Sequence, residues 1–261
     1  MGSILPWLQL SRAFLPFQFW KKIENAFWES YWRREEQALG ADIAVAPSLN
    51  DPGLSVFETL KTKPLRESER AVLVESIARQ YPFKAVLEIG CAYGQSLHVI
   101  APLFPNVNFI GLDIAPDRVS AGNELLQTSN FNNVRLIEGS MENLSGFEDK
   151  SVDLIFSCAS LLYISDEKIE RVLFECKRVA KSTLLFVEQN AKQEQTPIGS
   201  TIEKGFLVPA VGRSLEYWAR DYSRLCGNIF GKEAVETFPI ISPRFQTEQW
   251  QTSAALVKVS L

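Results

Sequence analysis

Val86-Leu87-Glu88-Ile89-Gly90-Cys91-Ala92-Tyr93-Gly94 decides how this chain is read. An apolar strand runs into a turn with two glycines, and a helix is predicted to start near Gly94. Glycines at 90 and 94 let backbone approach a bound molecule where a Cβ would collide, and the first turn of the helix offers N–H groups without intrahelical partners. A second apolar run, Asn108-Phe109-Ile110-Gly111-Leu112-Asp113, ends in a carboxylate at the distance where Rossmann-like folds hold the acid that binds ribose hydroxyls. Both strand ends aim at one nucleoside. A glycine turn by itself also suits helix–strand packing or an ordinary tight turn, so the weight falls on the elements around it.

Working outward, near-continuous apolar strands are expected near 84–89, 107–113, 133–138, 152–157 and 183–188. Helices are expected near 65–80, 94–103, 116–127 and 167–179, with Pro116 suited to a first helical turn and Asp166 to an N-cap. Apolar strands alternating with amphipathic helices predict a parallel sheet covered on both faces. A helix around Ser214 to Leu225 and two final strands, near 235–241 and 252–260, would complete the sheet with an antiparallel hairpin.

The acid two residues before Gly90, the strand ending in Asp113, then Val134-Arg135-Leu136-Ile137-Glu138-Gly139-Ser140-Met141 and Ser151-Val152-Asp153-Leu154-Ile155-Phe156-Ser157 follow one another in a specific order. In that order the chain resembles the class I S-adenosylmethionine-dependent methyltransferases, over roughly residues 65 to 190. The resemblance implies an α/β, Rossmann-like, doubly wound sheet of seven strands, with residues 65–261 as the methyltransferase domain and 1–64 as a helical extension and connector. It also implies S-adenosyl-L-methionine as cofactor. Gly90, Cys91, Ala92 and Gly94 would then line its methionine part, Asp113 would grip the ribose, and Ser140 and Met141 would flank the adenine. Glu88, Ile114 and Ser157 complete that expected set. Two positions depart from the family pattern: Ala92 replaces a frequent third glycine, and Ser140 replaces an Asp that commonly accepts from the adenine amino group.

Methyl transfer from a sulfonium is an in-line displacement, so positioning and exclusion of water carry most of it. A base is required only where the acceptor is protonated, as a sugar hydroxyl is. Ligands of open parallel sheets sit beyond the carboxyl ends of the strands, which makes Ser157, Cys158, Ser160, Tyr163, Glu188, Gln189 and Asn190 candidates on the acceptor side. Tyr163 and Glu188 are the expected catalytic residues. In Gly212-Arg213-Ser214-Leu215-Glu216-Tyr217-Trp218-Ala219-Arg220, the guanidinium groups of Arg213 and Arg220 could pair with an anionic group on a substrate, and Tyr217 and Trp218 could stack on it. The competing reading is a helix packed on the sheet, with Arg220 paired to a carboxylate of the domain itself. Ser157-Cys158-Ala159-Ser160 stands where base-methylating enzymes carry Asn/Asp-Pro-Pro-aromatic, which argues against nucleic-acid bases as acceptors. A small-molecule or glycan acceptor, methylated on oxygen, is the expectation.

Composition agrees with that class. A formal net charge of −4 over 261 residues disfavours a general nucleic-acid binder, which needs a basic face. Four cysteines without a C-x-x-C pair and a single histidine, His98, give no zinc pattern, so no metal is expected. Cys91 and Cys158 fall at strand ends facing the cofactor and read more readily as packed thiols than as reactive ones. No secretory signal or spanning segment is recognised, and Pro6 spoils a myristoylation pattern, so a cytoplasmic location is expected. Trp20, Ile23, Phe27 and Tyr31 share one helical face in a stretch crowded with aromatics, which needs cover from the core, from a lid over the substrate, or from a membrane surface touched peripherally by residues 1–40.

Two other classes compete. A nicotinamide-dependent reductase also uses a glycine turn and a strand-ending acid, but no Tyr-x-x-x-Lys occurs and about 85 residues precede the turn. A methyltransferase-like fold kept only as a binding module is the other, since fold alone does not fix function. Oligomeric state is not legible.

Overall fold

The computed structural model describes residues 69–128, 132–190, 201–203, 207–208, 213–214, 217–240 and 254–261. The aromatic stretch 1–40 and the connector to residue 64 lie outside the described residues. Helix α1 (Glu69–Ala78) leads into β1 (Ala85–Ile89), and the chain then alternates through α2 (Gln95–Ile100), β2 (Asn108–Asp113), α3 (Pro116–Thr128), β3 (Val134–Glu138), β4 (Val152–Cys158), α4 (Asp166–Val179) and β5 (Ala180–Gln189). After β6 (Thr201–Glu203), β7 (Leu207–Val208), β8 (Arg213–Ser214) and β9 (Tyr217–Ala219) come α5 (Tyr222–Phe230), β10 (Val235–Pro239) and β11 (Ala254–Ser260).

Seven strands form one sheet in the order β10-β11-β5-β4-β1-β2-β3. The pairs β1–β2, β1–β4, β2–β3 and β4–β5 are parallel, whereas β11 runs antiparallel to both β5 and β10. This is the Rossmann-like, mainly parallel sheet with an antiparallel C-terminal hairpin. The strand order reverses direction at β1, between β4 and β2, and in open α/β sheets that switch point opens a crevice at the carboxyl ends.

Strand residues are apolar at almost every position because each face has its own helical cover. Val86, Leu154, Phe156, Leu185 and Val187 pack with Leu73, Ile77, Leu97 and Leu126 on one side. Their immediate neighbours Leu87, Ile155, Leu184 and Phe186 pack with Ile169, Val172, Leu173 and Cys176 on the other. Successive side chains of a strand point to opposite faces, so two covered faces demand apolar residues in both parities. Helix α4 meets its side with Ile169, Val172, Leu173, Cys176 and Val179, spaced as one helical stripe. Its first turn carries Asp166 and Glu167 and its last turn Lys177 and Arg178, the charge order the helix dipole favours.

Three expectations are corrected: Asp166 stands inside the first turn of α4, and Ser165 holds the N-cap position expected for it. The helix expected over 94–103 is α-helical only to Ile100, and Ala101–Leu103 tightens into a 3-10 turn where Pro102 removes a donor. The helix expected over 214–225 begins only at Tyr222, capped by the Asp221 side chain accepting from Arg224 N. Residues 213–214 and 217–219 are strands, paired with 207–208 and 201–203.

Candidate active site

The loop after β1 is built from left-handed backbone. Gly90, Ala92 and Gly94 have φ of 72°, 48° and 76°. Gly90 and Cys91 both donate to Leu112 O, at 2.7 and 3.1 Å, which pins the turn to the end of β2. At Gly90 the close approach comes from the protein itself: a Cβ would stand 2.5 Å from Ser160 Cβ. Ser160 Oγ donates to Gly90 O at 2.9 Å, so the loop after β4 is bolted onto the loop after β1. Gly94 is not a cavity residue. A Cβ there would press on Leu136 at 3.2 Å, so its bareness serves packing under α2.

Asp113 closes β2 and faces the same crevice. Its carboxylate accepts from Ala92 N at 2.7 Å and from Ala115 N at 3.0 Å, which ties the two loops together. Burial raises its pKa above the ordinary carboxylate value, against the pull of those N–H groups and of Arg118. Burial, with Asp113 and Glu88 nearby, also pushes the Cys91 thiol well up, so Cys91 packs and does not attack.

A cavity of about 310 Å³ opens at this edge of the sheet. It gathers Glu88, Gly90, Cys91, Ala92, Asp113, Ile114, Ser140, Met141 and Tyr163 from the residues expected in the sequence, together with Cys158 and Ser160. Glu142 and Lys168 add an ion pair in its wall, Lys168 Nζ to Glu142 Oε1 at 2.9 Å. Ala159, at φ 54°, brings the loop after β4 to the same wall. Among the described residues, no group of three or more His, Cys, Asp or Glu is arranged to hold a metal.

Four expected site residues are placed elsewhere. Ser157 is fully buried and donates to Glu188 Oε1 at 2.8 Å. Glu188 is also fully buried, does not line the cavity, and accepts from Ser160 N and Leu161 N at 3.1 Å each. Strand parity explains both: Cys158 faces the crevice, so its neighbour Ser157 faces the other way, and Glu188 shares the face of Phe186, the partner of Ser157 across β4 and β5. Arg220 is 3% exposed and held by Asp166, by the carbonyls of Leu161 and Ile164, and by the Tyr222 hydroxyl, so the pairing with a domain carboxylate is the one found. Gly94, as above, packs. The side chains of Arg213, Tyr217 and Trp218 lie outside the described residues. Asn190, another acceptor-side candidate, spends its carbonyl on Tyr222 N at 2.8 Å.

Residues missed in the sequence include Gln95, Arg118, Glu142, Ser165 and Lys168. Gln95, Arg118 and Lys168 share a signal, since each sits in the first turn of the helix that follows a parallel strand. Those turns border the crevice at the carboxyl edge of the sheet.

The order of strands, the switch point and the paired loops define a Rossmann-like α/β fold with a crevice at the carboxyl edge of its sheet. Residues 86–183 match the family described as "Methyltransferase domain". The chain is 27% identical over 153 residues to phosphoethanolamine N-methyltransferase 1 of Triticum aestivum, covering 58% of this chain and 28% of that protein. It is 27% identical over 111 residues to trans-aconitate 2-methyltransferase of Deinococcus radiodurans, covering 42% of this chain and 37% of that one. The chain thus spans well under half the length of either relative. The structure of the CurJ carbon methyltransferase superposes with a TM-score of 0.59 at 15% identity, over 84% of this chain and 60% of that one, a likeness of fold. Residues 86–183 thus carry a methyltransferase domain of the S-adenosylmethionine-dependent kind, and S-adenosylmethionine is the cofactor that goes with it.

Proposed function

We propose that this protein transfers the methyl group of S-adenosylmethionine to an oxygen of a small-molecule or glycan acceptor. The observation that carries the reading is Asp113: a buried carboxylate at the end of β2, bonded to the N–H groups of Ala92 and Ala115 and facing a cavity walled by the loops after β1 to β4. The residues suit an adenosyl sulfonium. Asp113 matches a pair of ribose hydroxyls, Glu88 matches the ammonium of an amino-acid tail, and Leu112, Ile114 and Met141 supply apolar walls for a purine. About 310 Å³ falls at the lower end of the range of small-molecule pockets.

When bound, the cofactor supplies an electrophilic methyl carbon. The protein's own part is to hold acceptor and methyl in line and to keep water out. On the acceptor side the cavity carries Cys158, Ser160 and Tyr163. The Tyr163 hydroxyl can orient an acceptor hydroxyl, and no histidine lines the cavity. The curated relatives are named for phosphoethanolamine and trans-aconitate, so their names do not converge on one acceptor.

Incubation with methyl-labelled S-adenosylmethionine and fractionated cell metabolites tests the reading. Label should enter a hydroxylated or saccharide fraction, and Tyr163→Phe should lower the rate by about tenfold. Label confined to a protein or nucleic-acid fraction would refute the acceptor class. Residues 65–261 are taken as the catalytic unit of a cytoplasmic protein; cover for residues 1–40 by the core, by the substrate site as a lid, or by a membrane surface is separated by liposome flotation of the whole protein against a form lacking them, and equal flotation would end the membrane reading. Among the described residues, no helix is long and apolar enough to cross a membrane.

A further inference from the structure

The segment between β4 and α4, residues 159–165, makes much of the cavity wall through Ala159, Ser160, Tyr163, Ile164 and Ser165. Its backbone is irregular. Ala159 is left-handed at φ 54°, and Leu161–Tyr163 make a single 3-10 turn. Such a segment has little ladder bonding to hold it, and its polar backbone groups need other partners.

Two buried charged side chains supply those partners from opposite directions. From β5, Glu188 Oε1 accepts the N–H groups of Ser160 and Leu161 at 3.1 Å each and the Ser157 hydroxyl at 2.8 Å. From the residues just before α5, Arg220 donates to Leu161 O at 3.3 Å and to Ile164 O, while its Nε holds Asp166 at 2.9 Å in the first turn of α4. Donors of the segment are thus taken by the anion and acceptors by the cation. Ser160, fixed this way, donates to Gly90 O in the cofactor loop, and the same 3-10 turn ends in Tyr163.

We propose that Glu188 and Arg220 are positioning residues, a buried clamp that sets the segment carrying Ser160 and Tyr163 against the cofactor loop. Neither lines the cavity, so each acts through the segment it holds. The clamp needs an oxygen acceptor at the Glu188 Oε1 position, and its Oε2 has no hydrogen-bond partner among the described residues. Glutamine can therefore replace glutamate in the clamp, and leucine cannot.

The inference rests on the cavity being the cofactor site, and the test separates the two. Full-length wild type, Glu188→Leu, Glu188→Gln and Arg220→Gln are compared by amide hydrogen exchange and by calorimetric titration with S-adenosylhomocysteine. In Glu188→Leu and Arg220→Gln, exchange of peptides covering 158–165 should quicken about tenfold or more while peptides covering 85–89 and 108–113 stay unchanged. Affinity for S-adenosylhomocysteine should fall about fivefold in both. Glu188→Gln should return both readouts to within about twofold of wild type. Local exchange unchanged in the folded variants, or Glu188→Gln no better than Glu188→Leu, overturns the clamp. If Glu188→Leu does not fold, Arg220→Gln and Glu188→Gln decide by the same exchange criterion. A wild type silent toward S-adenosylhomocysteine refutes the cofactor reading, and the exchange data still decide the clamp.

Discussion

Asp113 and Asp153 stand at opposite edges of the same parallel sheet, and each accepts two main-chain N–H groups. Asp113, at the carboxyl edge, takes Ala92 N and Ala115 N at 2.7 and 3.0 Å. Asp153, at the start of β4, takes Lys84 N and Ala85 N at 2.7 and 2.9 Å. The similarity ends there. Burial raises the pKa of Asp113. At Asp153 burial also works upward, but the Lys181 ammonium at 2.8 Å and the two N–H groups outweigh it and bring the carboxyl below its ordinary value. An anion satisfied by a neighbouring cation has its charge neutralised locally and ties strands together. An anion held in a crevice with its charge only partly answered stays available for a ligand.

The sharpest way to break this contrast is to truncate each acid in turn. Asp113→Ala should weaken S-adenosylhomocysteine binding about a hundredfold, whereas Asp153→Ala should leave that affinity unchanged and lower unfolding stability by about 1–2 kcal/mol. Calorimetry and denaturant melts read the two effects separately, and equal losses of affinity would erase the distinction.

Next in size is Gly90→Val. A side chain at φ 72° that also meets Ser160 at 2.5 Å should cost about 3 kcal/mol, seen as a lower denaturant midpoint. A midpoint equal to wild type would mean that the Ser160 contact yields freely.

The pH response should also separate the two edges. Burial raises Glu188 from its ordinary 4.5 to about 7, with Leu161 N, the Ser157 hydroxyl and Ser160 N pulling it down. The folded state therefore binds this proton more tightly than the unfolded chain. Its contribution to stability is fully present below the unfolded value and is lost as pH rises through about 7. Asp153 has the opposite sign: its contribution is present above the unfolded value and lost as pH falls through the depressed folded one. Between pH 8 and 5, wild type should gain about 2 kcal/mol relative to Glu188→Gln, measured by chemical denaturation at each pH. A constant gap across that range would show that Glu188 does not titrate there.

Much of this architecture was legible in the sequence. Strand residues apolar in both parities, as in Val86 with Leu87 and Leu154 with Ile155, require two covered faces and hence a parallel doubly wound sheet. The glycine turn and Asp113 marked the crevice because they close adjacent strands. What failed were single-residue questions of facing. Ser157 and Glu188 were expected at the cavity, yet each turns inward, and one step along the strand separates Ser157 from the cavity-lining Cys158. The helix expected through 214–221 failed because the strands at 213–214 and 217–219 depend on partners at 207–208 and 201–203, which no local periodicity records. Lys168 and Glu142 meet across the cavity wall from positions 26 residues apart, a pairing visible only once α4 is docked.

The smallest expected effect concerns the missing third glycine. Ala92 holds φ 48° while giving its N–H to Asp113, so Ala92→Gly should relieve strain worth about 1 kcal/mol or less and leave S-adenosylhomocysteine affinity within about twofold. A large rise in affinity would mean that the alanine methyl obstructs the cavity.

An adenosyl sulfonium held in the crevice between β1, β2 and β4 is the event on which the proposed function depends. Calorimetric titration of the whole protein with S-adenosylmethionine, S-adenosylhomocysteine and NADPH tests it most directly. Saturable one-to-one binding of the first two with no heat from the third is the predicted result; binding of NADPH alone, or silence toward all three, would contradict it.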